Sequence, residues 1–298
     1  MKHNIDPKVD CVFKALLGAK ENRELLVHFL NAVLGSELAT PIVSVEILNP
    51  YNEKEFLDDK LTIVDVKASD NNNQIYQVEV QLAYYADLPA RITYTWADIY
   101  CQQLKSGHNF NQLQPTYSIW LLGQNAIKDD DRYLHAYKLR DETGKALTPY
   151  GGIWLLELEK FHSPHIENEQ ERWLQFFKKG DSLNDEQELP DWMNTQEMRQ
   201  AMNTLRQFSE KDRNYFAYQA RQNYIRQQNS LYAEKDAANA KCDELVIERN
   251  EIAAERDEIA AERDAIALRE QEAVLREQHA LAEIAKLKAL LAEKNKSM

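Results

Sequence analysis

A chain of 298 residues, 44% of them hydrophobic, holds enough apolar material for one large domain or two. Its 36 Lys and Arg against 49 Asp and Glu leave a formal net charge of −13, which argues against coating nucleic acid by bulk electrostatics and leaves only local or metal-assisted contact, because phosphate binding is driven by cations released as Lys and Arg approach. No run approaches the ~20 apolar residues of a membrane span, and the opening MKHNIDPKVD lacks the apolar core of a secretory signal, so a cytoplasmic protein without membrane contact is the expectation.

In chain order, Phe13, Leu16, Leu17, Leu25, Leu26, Phe29, Leu30, Val33 and Leu34 recur at helical spacing and predict a helix over residues 8–34, with Gly18 permitting a break. Strand-like runs follow at Ile42–Leu48, Leu61–Ala68, Ile75–Leu82, Thr116–Leu122, His135–Leu139 and Ile153–Leu158. Between the third and fourth, ADLPARITYTWADIYCQQLKSG reads as a helix with an aromatic face, whose Tyr94, Trp96 and Tyr100 are expected to pack on a sheet. Helix, strands, helix, strand is the order of an α/β mixed sheet flanked by helices.

The chain changes character at Pro190. All eight Gly and all eight Pro lie at or before it, and the following 108 residues are rich in helix-forming Ala, Glu, Arg, Gln and Leu, which predicts an all-α extension. Three segments are expected: 1–190 as the α/β domain, 191–231 as a helical connector and 232–298 as a long helix. From Glu248 a seven-residue unit repeats, ERNEIAA, ERDEIAA, ERDAIAL, REQEAVL, REQHALA. It places Ile252, Ile259, Ile266, Ala273, Ala280 and Leu287 on one seam and Arg256, Arg263, Glu270, Glu277, Ile284 and Leu291 on the alternate core position. Pairing of two chains through this helix is one reading; a solvated single helix is the other. The three cysteines, Cys11, Cys101 and Cys242, are widely spaced and form no CxxC pair. The seven histidines show no metal-ligand spacing, and there is no Gly-rich phosphate loop or GxSxG turn.

The chemistry sits at LTIVDVKASDNNNQIYQVEVQLA, residues 61–83. DNNN is a turn signal between two alternating strands, and a turn centred on Asn72 sets Asp65 opposite Glu79. Alternation then turns Gln77, Glu79 and Gln81 to one face, and Tyr76, Val78, Val80 and Leu82 to the other. Opposed carboxylates repel, and burying one unpaired charge costs several kcal/mol. A divalent cation such as Mg²⁺, which takes a few carboxylate oxygens and keeps waters, removes the conflict and supplies what phosphodiester hydrolysis needs. The competing reading places both acids on a wet sheet face, with Lys67 beside Glu79.

Asp65 followed by Glu79-x-Gln81 resembles the PD-(D/E)XK nuclease superfamily, whose signature is an Asp, a gap and Glu-x-Lys. More narrowly, KVDCVFKALLG (8–18), LLVHFLNAVLG (25–35), FLDDKLTIVDVKASD (56–70), QIYQVEVQL (74–82), RITYTWADIYCQQLKSG (91–107) and LLELEKF (155–161) are similar to the Rpn family of recombination-promoting nucleases, described also as transposases. The similarity extends through ERWLQFF (171–177) to DRNYFAYQARQNY (212–224) and so over most of residues 1–230. The resemblance implies a restriction-endonuclease-like fold and a Mg²⁺-dependent DNA endonuclease, with Mn²⁺ as a substitute ion. It implies Asp65 and Glu79 as metal-binding catalytic acids, Asp10 as an additional metal acid, and Gln81 in the place usually held by a catalytic Lys; Arg91 and Tyr94, at the start of the helix after the hairpin, are candidate DNA contacts by their residue types, against sheet packing for Tyr94. A neutral amide at Gln81 cannot supply positive charge, so this position departs from the pattern. The expected partners are DNA and a second copy of the chain joined through the C-terminal helix; a catalytically weakened DNA-binding scaffold of the same fold and a coiled-coil adaptor are the alternatives.

Overall fold

In the computed structural model, which describes residues 3–50, 64–148, 150–183 and 190–296 with side chains to residue 288, the opening apolar periodicity resolves into two helices, α1 (Asp10–Leu17) and α2 (Arg23–Leu34). The break falls at Gly18, whose N–H donates to the Lys14 carbonyl at 2.8 Å and closes α1. A Cβ here would lie 3.4 Å from Val66 Cγ2, so the end of α1 sits directly against the start of the second strand.

Among the described residues six strands form one sheet: β1 (Val45–Ile47), β2 (Val66–Asp70), β3 (Ile75–Gln81), β4 (Thr116–Leu122), β5 (Leu134–Tyr137) and β6 (Gly151–Glu157), in the order β1-β2-β3-β4-β6-β5. The β3–β4 and β4–β6 pairs are parallel and the others antiparallel, so the sheet is mixed. The parallel β3–β4 step requires a crossover, which α3 (Leu88–Cys101) supplies, with Pro89 in its first turn where a missing N–H costs nothing. The expected strand from Leu61 begins outside the described residues; within them pairing starts at Val66.

The two faces of the sheet are covered differently. Val66, Ala68, Tyr76, Val78, Ile119, Leu121, Trp154 and Leu156 are buried in one large core with α1, α2, α4 (Glu169–Lys179) and α5 (Gln196–Glu210). Aromatic rings of α4 knit that side together: Phe177 lies 5.5 Å from Phe13 and Trp173 lies 5.5 Å edge-on to Phe29, contacts worth about 0.5–1.5 kcal/mol beyond their area. On the opposite face Leu88 and Ile92 of α3 bury Trp120, Leu122 and Leu155. Of the aromatic residues of α3 expected to pack on the sheet, Trp96 donates its indole N–H to the Thr116 carbonyl at 3.0 Å and stacks on Tyr100. Tyr94 departs from that expectation: it is 48% exposed, because its position on the helix turns it away from the face carrying Leu88, Ile92 and Ile99.

The last helix, α6, runs from Asp212 to Lys296 without Gly or Pro. The chain divides into two compact units, Met1–Ser230 and Leu231–Met298. The segment read from sequence as a connector carries α5, whose Met198, Ala201, Met202, Leu205 and Phe208 lie in the core of the first unit, as does Tyr218. In the second unit the described side chains are exposed, apart from a half-buried Tyr232.

Candidate active site

The turn that aligns the acids is built by Asp70, whose Oδ1 accepts from the backbone N–H groups of Asn72 and Gln74 at 2.9 Å each, with Asn73 at φ +60°. Asn tolerates that left-handed conformation better than most residues. From this turn the register runs Ser69 to Ile75, Ala68 to Tyr76, Lys67 to Gln77 and Val66 to Val78, so the next residue, Asp65, comes to Glu79 as the turn position predicts.

Each carboxylate grips the other's strand. The Asp65 N–H donates to Glu79 Oε1 at 3.1 Å, and the Val80 N–H donates to Asp65 Oδ2 at 3.0 Å. Glu79 is 3% exposed, so this acid does not lie on a wet face, while Asp65 is part-buried. A buried chain of hydrogen bonds supports it from below: Trp120 Nε1 donates to Ser118 Oγ at 2.9 Å, Ser118 Oγ to Gln77 Oε1 at 2.9 Å, and Gln77 Nε2 to Glu79 Oε1 at 3.3 Å. Burial first, then the Asp65 charge, raise the Glu79 carboxyl to about 8 against the opposing pull of Arg91 and the bond from Gln77. An acid site this dry and this unfavourable to negative charge has the donor chemistry that a divalent cation relieves.

Among the described residues three further charged groups lie at or near the site. Lys14, one turn after Asp10 on α1, places Nζ 3.1 Å from Asp65 Oδ1. Burial works against the Lys14 charge, but Asp65, and behind it Asp10 and Glu79, outweigh it and hold its pKa above the ordinary value. Arg91 donates from Nη1 to Gln81 Oε1 at 3.2 Å and to the Tyr85 hydroxyl, with its guanidinium carbon 5.6 Å from the Trp120 ring. Arg221, from the first-unit part of α6, brings Nε to 2.9 Å from Asp10 Oδ1, a charge contact without hydrogen-bond alignment, and stacks on Tyr224.

Of the residues singled out by sequence, Asp65 and Glu79 come together, and Gln81 follows on the same strand. The Gln81 amide is engaged: Nε2 donates to the Ala83 carbonyl at 2.7 Å and Oε1 accepts from Arg91 and Tyr85. Asp10 holds the first turn of α1, accepting from the Cys11 N–H at 2.8 Å, and faces Arg221. Among the described residues no group of three or more His, Cys, Asp or Glu side chains gathers as a metal cluster, so Asp65 and Glu79 stand as a pair. Lys14, Gln77 and Ser118 were missed by sequence reasoning. Only Gln77 carried a signal, since it shares the face of Glu79; Lys14 and Ser118 are remote in sequence.

A second buried carboxylate, Glu157, lies at the end of β6. Its Oε1 accepts from the Ala126 and Ile127 N–H groups at 2.5 and 3.0 Å, and its Oε2 meets Lys160 Nζ at 2.6 Å and His135 Nε2 at 3.1 Å. With four partners it anchors the loop after β4.

Set against known proteins, residues 7–235 match the sequence model of the family described as PD-(D/E)XK nuclease family transposase. No curated protein and no solved structure matches the chain. Among the described residues no helix is long and apolar enough to cross a membrane.

Proposed function

The chain belongs to the PD-(D/E)XK nuclease family transposases, and from that premise we propose that its first unit is a Mg²⁺-dependent DNA endonuclease whose breaks feed recombination. The observation that carries this reading is the mutual grip of Asp65 and Glu79, two carboxylates held in register with one of them buried. They are the residues that would hold the ion; when bound, a divalent cation supplies Lewis-acid charge to the phosphate and an acidified water. Lys14 supplies the positive charge that Gln81 lacks, directed at the phosphate oxygens beside Asp65. Arg91 and the exposed Tyr94 contact the flanking backbone and bases, and Gln81 orients water or phosphate from the same strand. The chain Trp120, Ser118, Gln77 fixes the Glu79 rotamer, so no reorganisation is needed as charge develops.

Purified protein incubated with duplex DNA and Mg²⁺ is expected to cut, and Asp65→Ala and Glu79→Ala to cut at least about a hundredfold more slowly. Equal cutting by all three proteins removes the assignment. A second reading, a DNA-binding protein of the same fold with weakened catalysis, is favoured by the engaged amide of Gln81. Metal-dependent nicking against DNA binding alone separates the two.

A further inference from the structure

The second unit carries its own recognition pattern. Leu245, Ile252, Ile259, Ile266, Ala273, Ala280 and Leu287 recur every seventh residue along α6, and the five large ones are 50–60% exposed. Two columns of charge flank this line. Three residues after each seam position stand Glu248, Glu255 and Glu262, then Arg269 and Arg276; four residues after stand Arg249, Arg256 and Arg263, then Glu270 and Glu277. The order Glu-Arg therefore inverts to Arg-Glu between residues 263 and 269, halfway along the repeat.

We propose that this face binds a second copy of the same chain with the two helices antiparallel. The inversion decides the orientation. In a parallel, in-register pair every residue of the alternate core column meets itself, and Arg249, Arg256, Arg263, Glu270 and Glu277 become five like-charged layers in a low-dielectric seam. Antiparallel packing sets that column against the apolar one instead. With the crossing between residues 264 and 265, Arg263 lies by Ile266 of the second copy, Arg256 by Ala273, Glu270 by Ile259 and Glu277 by Ile252. Long side chains in such layers reach past an apolar neighbour to water.

The outer column then becomes complementary. Glu262 faces Arg269 of the second copy and Glu255 faces Arg276, each twice by symmetry. The one like-charged match, Glu248 with Glu283, falls at the ends, where water screens it. Among the described residues Arg256 and Arg263 pair with the adjacent Asp257 and Asp264 at 3.3 Å, and both Arg side chains are about four-fifths exposed, so they are open to a partner. This pairing is independent of the chemistry proposed for the first unit.

Two full-length variants test it. Arg269→Glu with Arg276→Glu makes the outer column from 248 to 276 acidic; Glu248→Arg, Glu255→Arg and Glu262→Arg makes it basic. By sedimentation, the wild type is expected to dimerise, each variant alone to associate at least about tenfold more weakly, and their equimolar mixture to form a one-to-one pair. Far-UV circular dichroism confirms that the helix is retained in each. A parallel pair gives no such complementation, because there the outer column faces Ala253, Ala260, Ala267, Val274 and Leu281. Spin labels on Cys242, with Cys11 and Cys101 replaced by Ala, are expected roughly 60–70 Å apart at 1.5 Å per residue. A Cys242 to Cys242 disulfide, a label separation under about 20 Å, variants that dimerise as well as wild type, a mixture that does not associate, or a monomeric wild type would each overturn the proposal.

Discussion

At Glu79, burial and a neighbouring charge act in the same direction, and the consequence is a pH-dependent stability. The folded-state pKa is raised from 4.5 to about 8. Between those values the folded protein keeps a proton that the unfolded chain has released, so the contribution is fully present at low pH and drains away as pH rises towards about 8. In metal-free buffer the Tm of wild type is expected to fall across this window, whereas Glu79→Gln, which has no proton to lose, lacks that component and is the more stable protein at pH 8. Thermal scans of both at pH 5 and pH 8 check this, and parallel slopes would refute it. Lys14 is the second residue whose role can be isolated. Lys14→Gln is expected to slow cleavage about a hundredfold, the cost of one lost electrostatic stabiliser. Adding Gln81→Lys to that variant returns part of the rate by putting charge where the family signature has it; single-turnover rates on duplex DNA measure both.

At the level of elements, the site depends on strand order more than on the hairpin alone. β3 supplies Glu79, but its support comes from Ser118 and Trp120 of β4, which is held in turn by β6 through the Thr116 to Gly151 pairing. Gly151 has φ +91°, and a Cβ there would meet the Thr116 carbonyl oxygen at 2.1 Å and its carbon at 2.6 Å. Neither atom can move without breaking the ladder. Gly151→Ala is therefore expected to cost at least about 2 kcal/mol of folding free energy and to lower cleavage with it, read as a reduced denaturation midpoint and a reduced rate in the same preparation. An unchanged midpoint would show that β4 and β6 tolerate a separation the register does not suggest.

For the molecule as a whole, the charge of −13 sets the terms on which the proposed DNA substrate would be met. If Lys14 and Arg91 are the principal phosphate contacts, as proposed, the affinity of Glu79→Gln for duplex DNA is expected to fall only about tenfold between 50 and 200 mM salt, against the 10³–10⁵ of a protein that neutralises six to ten phosphates. A steep slope in filter binding would place the DNA on a larger basic surface. Much of this was legible in the chain itself: DNNN and the alternation around it set Asp65 against Glu79, Gly18 marked the break between α1 and α2, and the loss of Gly and Pro after residue 190 announced the helical extension. Local sequence determines such features because turn chemistry and periodicity act between residues a few positions apart. Tertiary structure alone decided that Glu79 is dry, that Lys14 brings a positive charge to Asp65, that Ser118 supports Glu79 through Gln77, and that Arg221 faces Asp10. Those contacts join positions far apart in the chain, and their geometry is fixed only when α1 closes on β2 and β4 docks beside β3.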